Sequence, residues 1–230
     1  MIEARNIGVS YGNIQVLWDL SFEISEDDGI VAIVGPNGAG KTTLLKVLSG
    51  LHPIDSGSVS IWGDDIGILS PTAIVERGFV HVTETRNLFG DMTVAENLRM
   101  GAYTHRRDID SATEDVYDLF PVLEERRSQR AASMSGGQQQ MLAIGRGLMA
   151  RPKILALDEP SQGLAPKITQ RLFERIVDIS ADTTVLLVEQ HVHQSLRLAE
   201  RAYLLENGSF VAEDAGPVLL ESDHIEAAYL

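Results

Sequence analysis

The chain has 230 residues, 44% hydrophobic and 23% charged, a balance that excludes a disordered polymer and allows one large core. Its net charge of −14 excludes a broad nucleic-acid footprint, which needs clustered Lys and Arg. It has no cysteine, hence no disulfide framework or thiolate chemistry, and no apolar run approaches the roughly 20 residues that span a bilayer.

In chain order, the opening "MIEARNIGVSYG" lacks the basic-then-apolar layout of a signal peptide. "NIGVSYG" and "LSFEIS" alternate as half-buried strands do, and "SGSVSIWG" puts Val59 and Ile61 on one face. Between them "GIVAIVG" is a continuous apolar run, the pattern of a strand covered on both faces in a parallel sheet. It leads into "GPNGAGKTT", residues 35 to 43, which fits Gly-x-x-x-x-Gly-Lys-Ser/Thr through Gly35, Gly40, Lys41 and Thr42. In such a loop the backbone of Gly35, Pro36, Asn37, Gly38, Ala39 and Gly40 curls around a phosphate. Lys41 reaches the β- and γ-phosphates, and Thr42, followed by Thr43, offers Mg2+ a hydroxyl. A helix is expected from about Thr42 to Gly50, ahead of His52 and Pro53.

From about Asp91 to Ala150 the pattern is mostly helical. "TVAENL" is a capping box with Thr93 as N-cap and Glu96 three residues on. The basic runs "HRR" (105 to 107) and "EERRSQR" (124 to 130) read as solvated helix faces. In "SMSGGQQQMLAIGRGLMA", Ser135, Gly136 and Gly137 stand directly before a helical run, presenting N–H groups and a positive dipole end to an anion. Met141, Ile144 and Leu148 form the expected buried stripe of the helix after Gln138, which Pro152 limits.

Strand signals return with "ILAL", "TTVLLVE" and "AYLL", and Asn207-Gly208 is a two-residue hairpin turn. "ILALDEP" ends an apolar strand in Asp158 and Glu159, and ligands of open parallel sheets sit at the carboxyl ends of strands. There Asp158 would hold Mg2+ through water, and Glu159 would orient and deprotonate the water that attacks a γ-phosphate. The reaction these residues point to is ATP hydrolysis. The second cradle, Ser135 to Gln138, has no lysine of its own. It is explained if two chains pack head to tail and each Ser135 hydroxyl and Gly137 amide meets the γ-phosphate held by the other chain; the alternative is a Ser/Gly-capped helix.

"GPNGAGKTT", "MSGGQQQ" and "ILALDEP", in that order and spacing, resemble the nucleotide-binding subunit of an ABC transporter over nearly the whole chain. The resemblance implies an α/β fold: a P-loop NTPase core with a parallel sheet, an N-terminal antiparallel β-subdomain and an inserted helical subdomain. It implies one ABC ATPase domain over 1–230, with the core and β-subdomain at about 1–90 and 151–230 and the helical subdomain at about 91–150. It implies that Tyr11 stacks on adenine with Val16 nearby. ATP and Mg2+ are the expected cofactors. The expected partners are two membrane permease subunits, a second ABC ATPase subunit and, indirectly, an extracytoplasmic solute-binding protein, with the chain on the cytoplasmic face of the membrane. "DEPSQGLAPK", "LLVEQHVHQSLRLAERAYLLENG" and the terminal "AYL" are similar to the ATPases of branched-chain (hydrophobic) amino-acid uptake systems, including relatives that serve amides or urea. A soluble ABC ATPase outside transport would share the phosphate chemistry.

Three features depart from the general family pattern. Glu84 stands where most members place a glutamine, in the loop that feels the membrane partner; as an acid it can coordinate Mg2+ or bind the attacking water but cannot donate. Matching the family's switch histidine to "VEQH" puts Gln190 at the γ-phosphate sensor position, with His191 one residue late. Gln162 replaces the Leu usual in this branch, and Gly145 and Gly147 replace Ala, each weakening its helix by about 1 kcal/mol.

Overall fold

The computed structural model describes residues 1–104, 108–222 and 225. The basic run 105–107 and the terminal residues 228–230 noted above lie outside them. In chain order the elements are β1 (Ile2–Tyr11), β2 (Ile14–Ile24), β3 (Ile30–Val34), α1 (Lys41–Leu48), β4 (Ser56–Ile61), β5 (Asp64–Asp65), α2 (Pro71–Glu76) and β6 (Phe79–Val82). Then come α3 (Val94–Gly101), α4 (Ile109–Leu119), α5 (Pro121–Glu125), α6 (Gly136–Leu148) and β7 (Ile154–Asp158). The chain continues through α7 (Pro166–Ser180), β8 (Thr184–Glu189), α8 (Val192–Leu198), β9 (Arg201–Glu206), β10 (Ser209–Asp214) and α9 (Gly216–Leu220).

Two sheets result. One has the order β2-β1-β4-β5 with antiparallel pairings. The other has the order β10-β9-β3-β8-β7-β6, in which β9, β3, β8, β7 and β6 are parallel and β10 is the antiparallel edge. The second sheet is buried on both faces, which is why its strands read as unbroken apolar runs. Ala32, Val34, Leu155 and Leu157 face a core shared with α3 to α6 and α7, including Leu98, Val116, Ala143 and Phe173. Val31, Ile33, Ala156 and Val188 face the opposite way, into a core with α1 and the antiparallel sheet. Because parallel neighbours run in register, the carboxyl ends of β3, β7, β8 and β6 lie along one edge: Val34 pairs Glu189, Asp158 pairs Val188, and Val82 pairs Leu157.

Local signals act as their chemistry requires. The Thr93 hydroxyl accepts from the Glu96 amide, and Glu96 Oε2 accepts from the Thr93 amide at 2.7 Å, closing the box that starts α3. Asn207 and Gly208 both have positive φ, 49° and 82°, as a tight hairpin turn demands. Gly208 also makes the turn a clamp: its carbonyl accepts from Trp18 N–H at 2.8 Å and its N–H donates to Ala39 O at 3.0 Å, inside the phosphate loop.

Two expectations are corrected. Helix α6 begins at Gly136, not after Gln138, because Ser135 is its N-cap. Its deeply buried face carries Gln140, Ala143, Ile144 and Gly147, while Met141 and Leu148 are only partly buried at the flanks. The glycines explain the shift: an added Cβ at Gly145 would meet Val116 Cγ1 at 2.8 Å, and one at Gly147 would meet Val82 Cγ2 at 2.9 Å. Gly147 lets the helix approach the sheet, against Val82, Val80 and Leu155, while Gly145 lets it approach α3, α4 and α5 through Leu98, Val116 and Leu123. The longest helix, α7, and the short strand β6 were not anticipated, although Pro166 at the first turn and the stripe Leu172, Phe173, Ile176, Ile179 signal α7.

Candidate active site

A cavity of about 400 Å3 opens at the carboxyl edge of the parallel sheet, lined by Val16, Asn37, Gly38, Gly40, Lys41, Thr42, Thr43, Glu84, Glu159 and Gln162. The phosphate loop supplies its floor. Gly40, at φ 110°, caps α1 without a side-chain bond, and the first turn of α1 carries no acid. The orphan amides and positive dipole end of this helix are thus left for an anion. In α3 and α6, by contrast, capping boxes occupy part of the first turn.

Lys41 is buried, with all three donors engaged: Nζ donates to Gly35 O at 2.9 Å and Pro36 O at 3.1 Å, and pairs with Glu159 Oε1 at 3.1 Å. Glu159 follows β7 with φ at 44°, a left-handed conformation costing a non-glycine residue about 1 kcal/mol. The strained backbone is held by Glu159 N–H donating to Val188 O at 2.8 Å, and Gln162 Nε2 donates to Glu159 Oε2 at 3.2 Å. The replacement at position 162 therefore supplies a bond to the carboxylate that a leucine could not make.

Asp158 lies beside this group, almost fully buried, and accepts from Thr42 Oγ1 at 3.3 Å. Burial pushes its carboxyl up to about 6; the Thr42 bond and Lys41 oppose that, while Glu159 and Glu84 add to it. His81 on β6 approaches Asp158 Oδ2 at 3.9 Å through Nε2, with Nδ1 2.9 Å from the Ser49 hydroxyl. Burial, with Lys46 nearby, pushes His81 down to about 4, so its ring is neutral at pH 7. The oxygens of Thr42, Asp158 and Glu84 form a hard donor set that fits Mg2+ in a phosphate site, where one or two carboxylates suffice because water and phosphate complete the shell.

The remaining expected site residues lie outside the cavity lining. Tyr11 is 41% exposed, its ring 4.3 Å from that of His52. Ser135 is committed as N-cap, accepting from Gln138 N–H at 3.4 Å, while Gln138 Oε1 accepts from Ser135 N–H at 3.0 Å. That box uses the Ser135 and Gln138 amides and not those of Gly136 and Gly137. Gln190 follows β8 directly and is half-buried; His191 caps α8 and is exposed. Sequence reasoning missed three polar residues at this edge, His81, Ser161 and Glu189, because nothing in their local pattern separates them from ordinary strand and turn residues.

Residues 17–162 match the family model described as ABC transporter. The high-affinity branched-chain amino acid transport ATP-binding protein BraG of Pseudomonas aeruginosa is 46% identical over 232 residues, covering 100% of this chain and 99% of that protein. The probable branched-chain amino acid transport ATP-binding protein LivF of Archaeoglobus fulgidus is 35% identical, covering 98% of this chain and 97% of its own length. A crystal structure of an ATP-binding cassette of an ABC transporter in its ADP conformation superposes with a TM-score of 0.88 at 26% identity, covering 100% of this chain and 98% of the other. The chain belongs to the ABC transporter family, as an ATP-hydrolysing ATP-binding cassette.

Proposed function

We propose that this cassette drives a membrane importer of branched-chain or other hydrophobic amino acids, with 1–230 as one ATPase domain and 91–150 as its helical subdomain. The observation that carries the reading is the convergence of Lys41, Thr42, Glu84 and Glu159 on one cavity, with Asp158 bonded to Thr42. The full-length similarity to BraG supports the solute class.

The chemistry follows from the resting contacts. An arriving γ-phosphate replaces Glu159 as the anionic partner of Lys41, which frees the carboxylate without leaving the ammonium unpaired. Glu159 then accepts a proton from the attacking water as its oxygen bonds to Pγ, and the bond from Pγ to the leaving oxygen of ADP breaks. Thr42 and Asp158, with Glu84 at the rim, would hold Mg2+, which neutralises charge developing on the phosphates. Gln190 senses the γ-phosphate. Ser135 and Gly137 of a second cassette close over it, with the Gly137 amide as donor.

An apolar cavity of about 540 Å3 beside the loop after β6, rimmed by the exposed Phe89, Met100 and Tyr103, is where we place the permease contact. Among the described residues no helix is long and apolar enough to cross a membrane. In this reading, which rests on the similarity to BraG, the permease holds the cassette at the cytoplasmic face.

The test is a pull-down of tagged Glu159→Gln protein with Mg-ATP from detergent-solubilised cells. Two permease chains and a second ATPase are the expected company. A permease that carries amides or urea would move the solute class, and soluble partners alone would overturn the transport reading. In parallel, Lys41→Ala abolishes tight Mg-ATP binding, whereas Glu159→Gln keeps binding and loses turnover by orders of magnitude.

A further inference from the structure

One buried carboxylate at the carboxyl edge takes no part in these steps. Glu189 ends β8 with 0% of its surface exposed, and no ion pair joins it among the described residues. A lone ionisable group so placed costs several kcal/mol relative to an apolar one, and burial pushes its carboxyl above the usual range, with contacts to Ser161 and His191 opposing. Its well-formed bond is from Ser161, whose N–H donates to Oε1 at 3.0 Å, with the His191 backbone also close to the carboxyl.

The position of that bond is informative. Ser161 lies two residues beyond Glu159, in the loop where Gln162 holds Glu159 Oε2. Glu189 itself is followed by Gln190 and is paired in register with Val34, the residue before Gly35. Two segments therefore meet at this carboxylate, the loop bearing Glu159 and the strand end bearing Gln190, while the backbone of Glu189 stands in register with the strand that leads into the phosphate loop. Each bonded partner also keeps a buried polar atom without a partner, Glu189 Oε2 and Ser161 Oγ. Unsatisfied atoms of this kind cost stability, so turning the Ser161 hydroxyl onto Oε2 would tighten the grip.

We propose that Glu189 is a positioning residue: its carboxylate fastens the loop that carries Glu159 to the strand end that carries Gln190, and so fixes the base relative to the γ-phosphate. The inference rests on the reading of Glu159 as the base. It does not need Glu189 to touch substrate, and it predicts a loss in the chemical step rather than in binding.

The experiment compares Glu189→Leu and Glu189→Gln in the 230-residue chain, reading kcat at saturating Mg-ATP, Kd for a non-hydrolysable ATP analogue, and hydrogen exchange across 159–163. In the leucine variant kcat falls about tenfold or more, Kd stays within roughly threefold, and exchange in 159–163 accelerates. The glutamine variant, whose Oε1 still accepts, keeps kcat within roughly threefold of wild type. Wild-type kcat in the leucine variant, or equal loss in both, overturns the proposal. A second measurement needs no variant: the Ser161 amide of the native chain exchanges slowly, and fast exchange there overturns the latch. Glu159→Gln is run alongside. If it retains turnover, the base assignment fails; if it loses turnover while Glu189→Leu does not, only the latch fails.

Discussion

At the scale of single residues, burial sets the charges around the cavity, and two of its effects oppose each other. His81 is held at about 4 against 6.5 in the unfolded chain, so it gains a proton on unfolding, and stability is lost as pH falls through that window. Asp158 is held at about 6 against 3.8, so it loses a proton on unfolding, and stability is lost as pH rises over nearly the same range. At 1.36 kcal/mol per unit each effect is about 3 kcal/mol, and the two nearly cancel. In nucleotide- and metal-free buffer, His81→Leu should gain Tm relative to wild type as pH falls from about 6.5 to 4. Asp158→Asn should gain as pH rises over that range; three parallel Tm profiles would sink both assignments. The switch is tested at this scale: replacing Gln190 should slow turnover more than replacing His191, and the reverse ranking assigns the sensor to the exposed histidine.

At the scale of elements, close approach decides what propensity does not. In an isolated helix Gly145→Ala or Gly147→Ala would add about 1 kcal/mol. In α6 the new methyl meets a stiff β-branched side chain, Val116 or Val82, at under 3 Å, and overpacking costs about 1–3 kcal/mol. Both substitutions should therefore lower Tm, and a rise in either would show that the helix has room to move. The β9–β10 turn is less forgiving. A Cβ at Gly208 would lie 2.0 Å from Val16 O, a backbone atom that cannot rotate away, at a residue whose φ is already left-handed. Because the same residue bonds Ala39, Gly208→Ala should weaken nucleotide binding as well as lower Tm; equilibrium titration with an ATP analogue reads the first and calorimetry the second.

At the scale of the whole molecule, none of the residues 135–138 lines the cavity of the phosphate loop, and the proposed role of the Ser135 cradle is to meet a γ-phosphate held by a second cassette. A substitution separates that role from capping. Asp is as good an N-cap as Ser, so Ser135→Asp should leave the stability of the single chain intact while setting a carboxylate against the incoming phosphate. In a Glu159→Gln background, Mg-ATP should produce a dimer by sedimentation, and adding Ser135→Asp should abolish it with unchanged ATP affinity. A dimer that survives the aspartate would leave Ser135 as a helix cap alone.

Much of this chain is legible in its sequence because the signals are local. Glycine spacing with Lys41 and Thr42 marks the phosphate loop, apolar runs mark β3, β7 and β8 as covered on both faces, and Thr93, Ser135 and Asn207-Gly208 announce their caps and turn. Such features depend on a few adjacent residues and survive any arrangement of the rest. Only the tertiary structure decided which distant residues meet. Register in the parallel sheet brought Glu189 opposite Val34 and Asp158 opposite Val188, and the packing around it placed Lys41 on an oxygen of Glu159, Thr42 on Asp158 and His81 beside Asp158. Those contacts join segments up to more than a hundred residues apart, and burial, which shifts His81 and Asp158, is a property of the packed whole that no short stretch of sequence records.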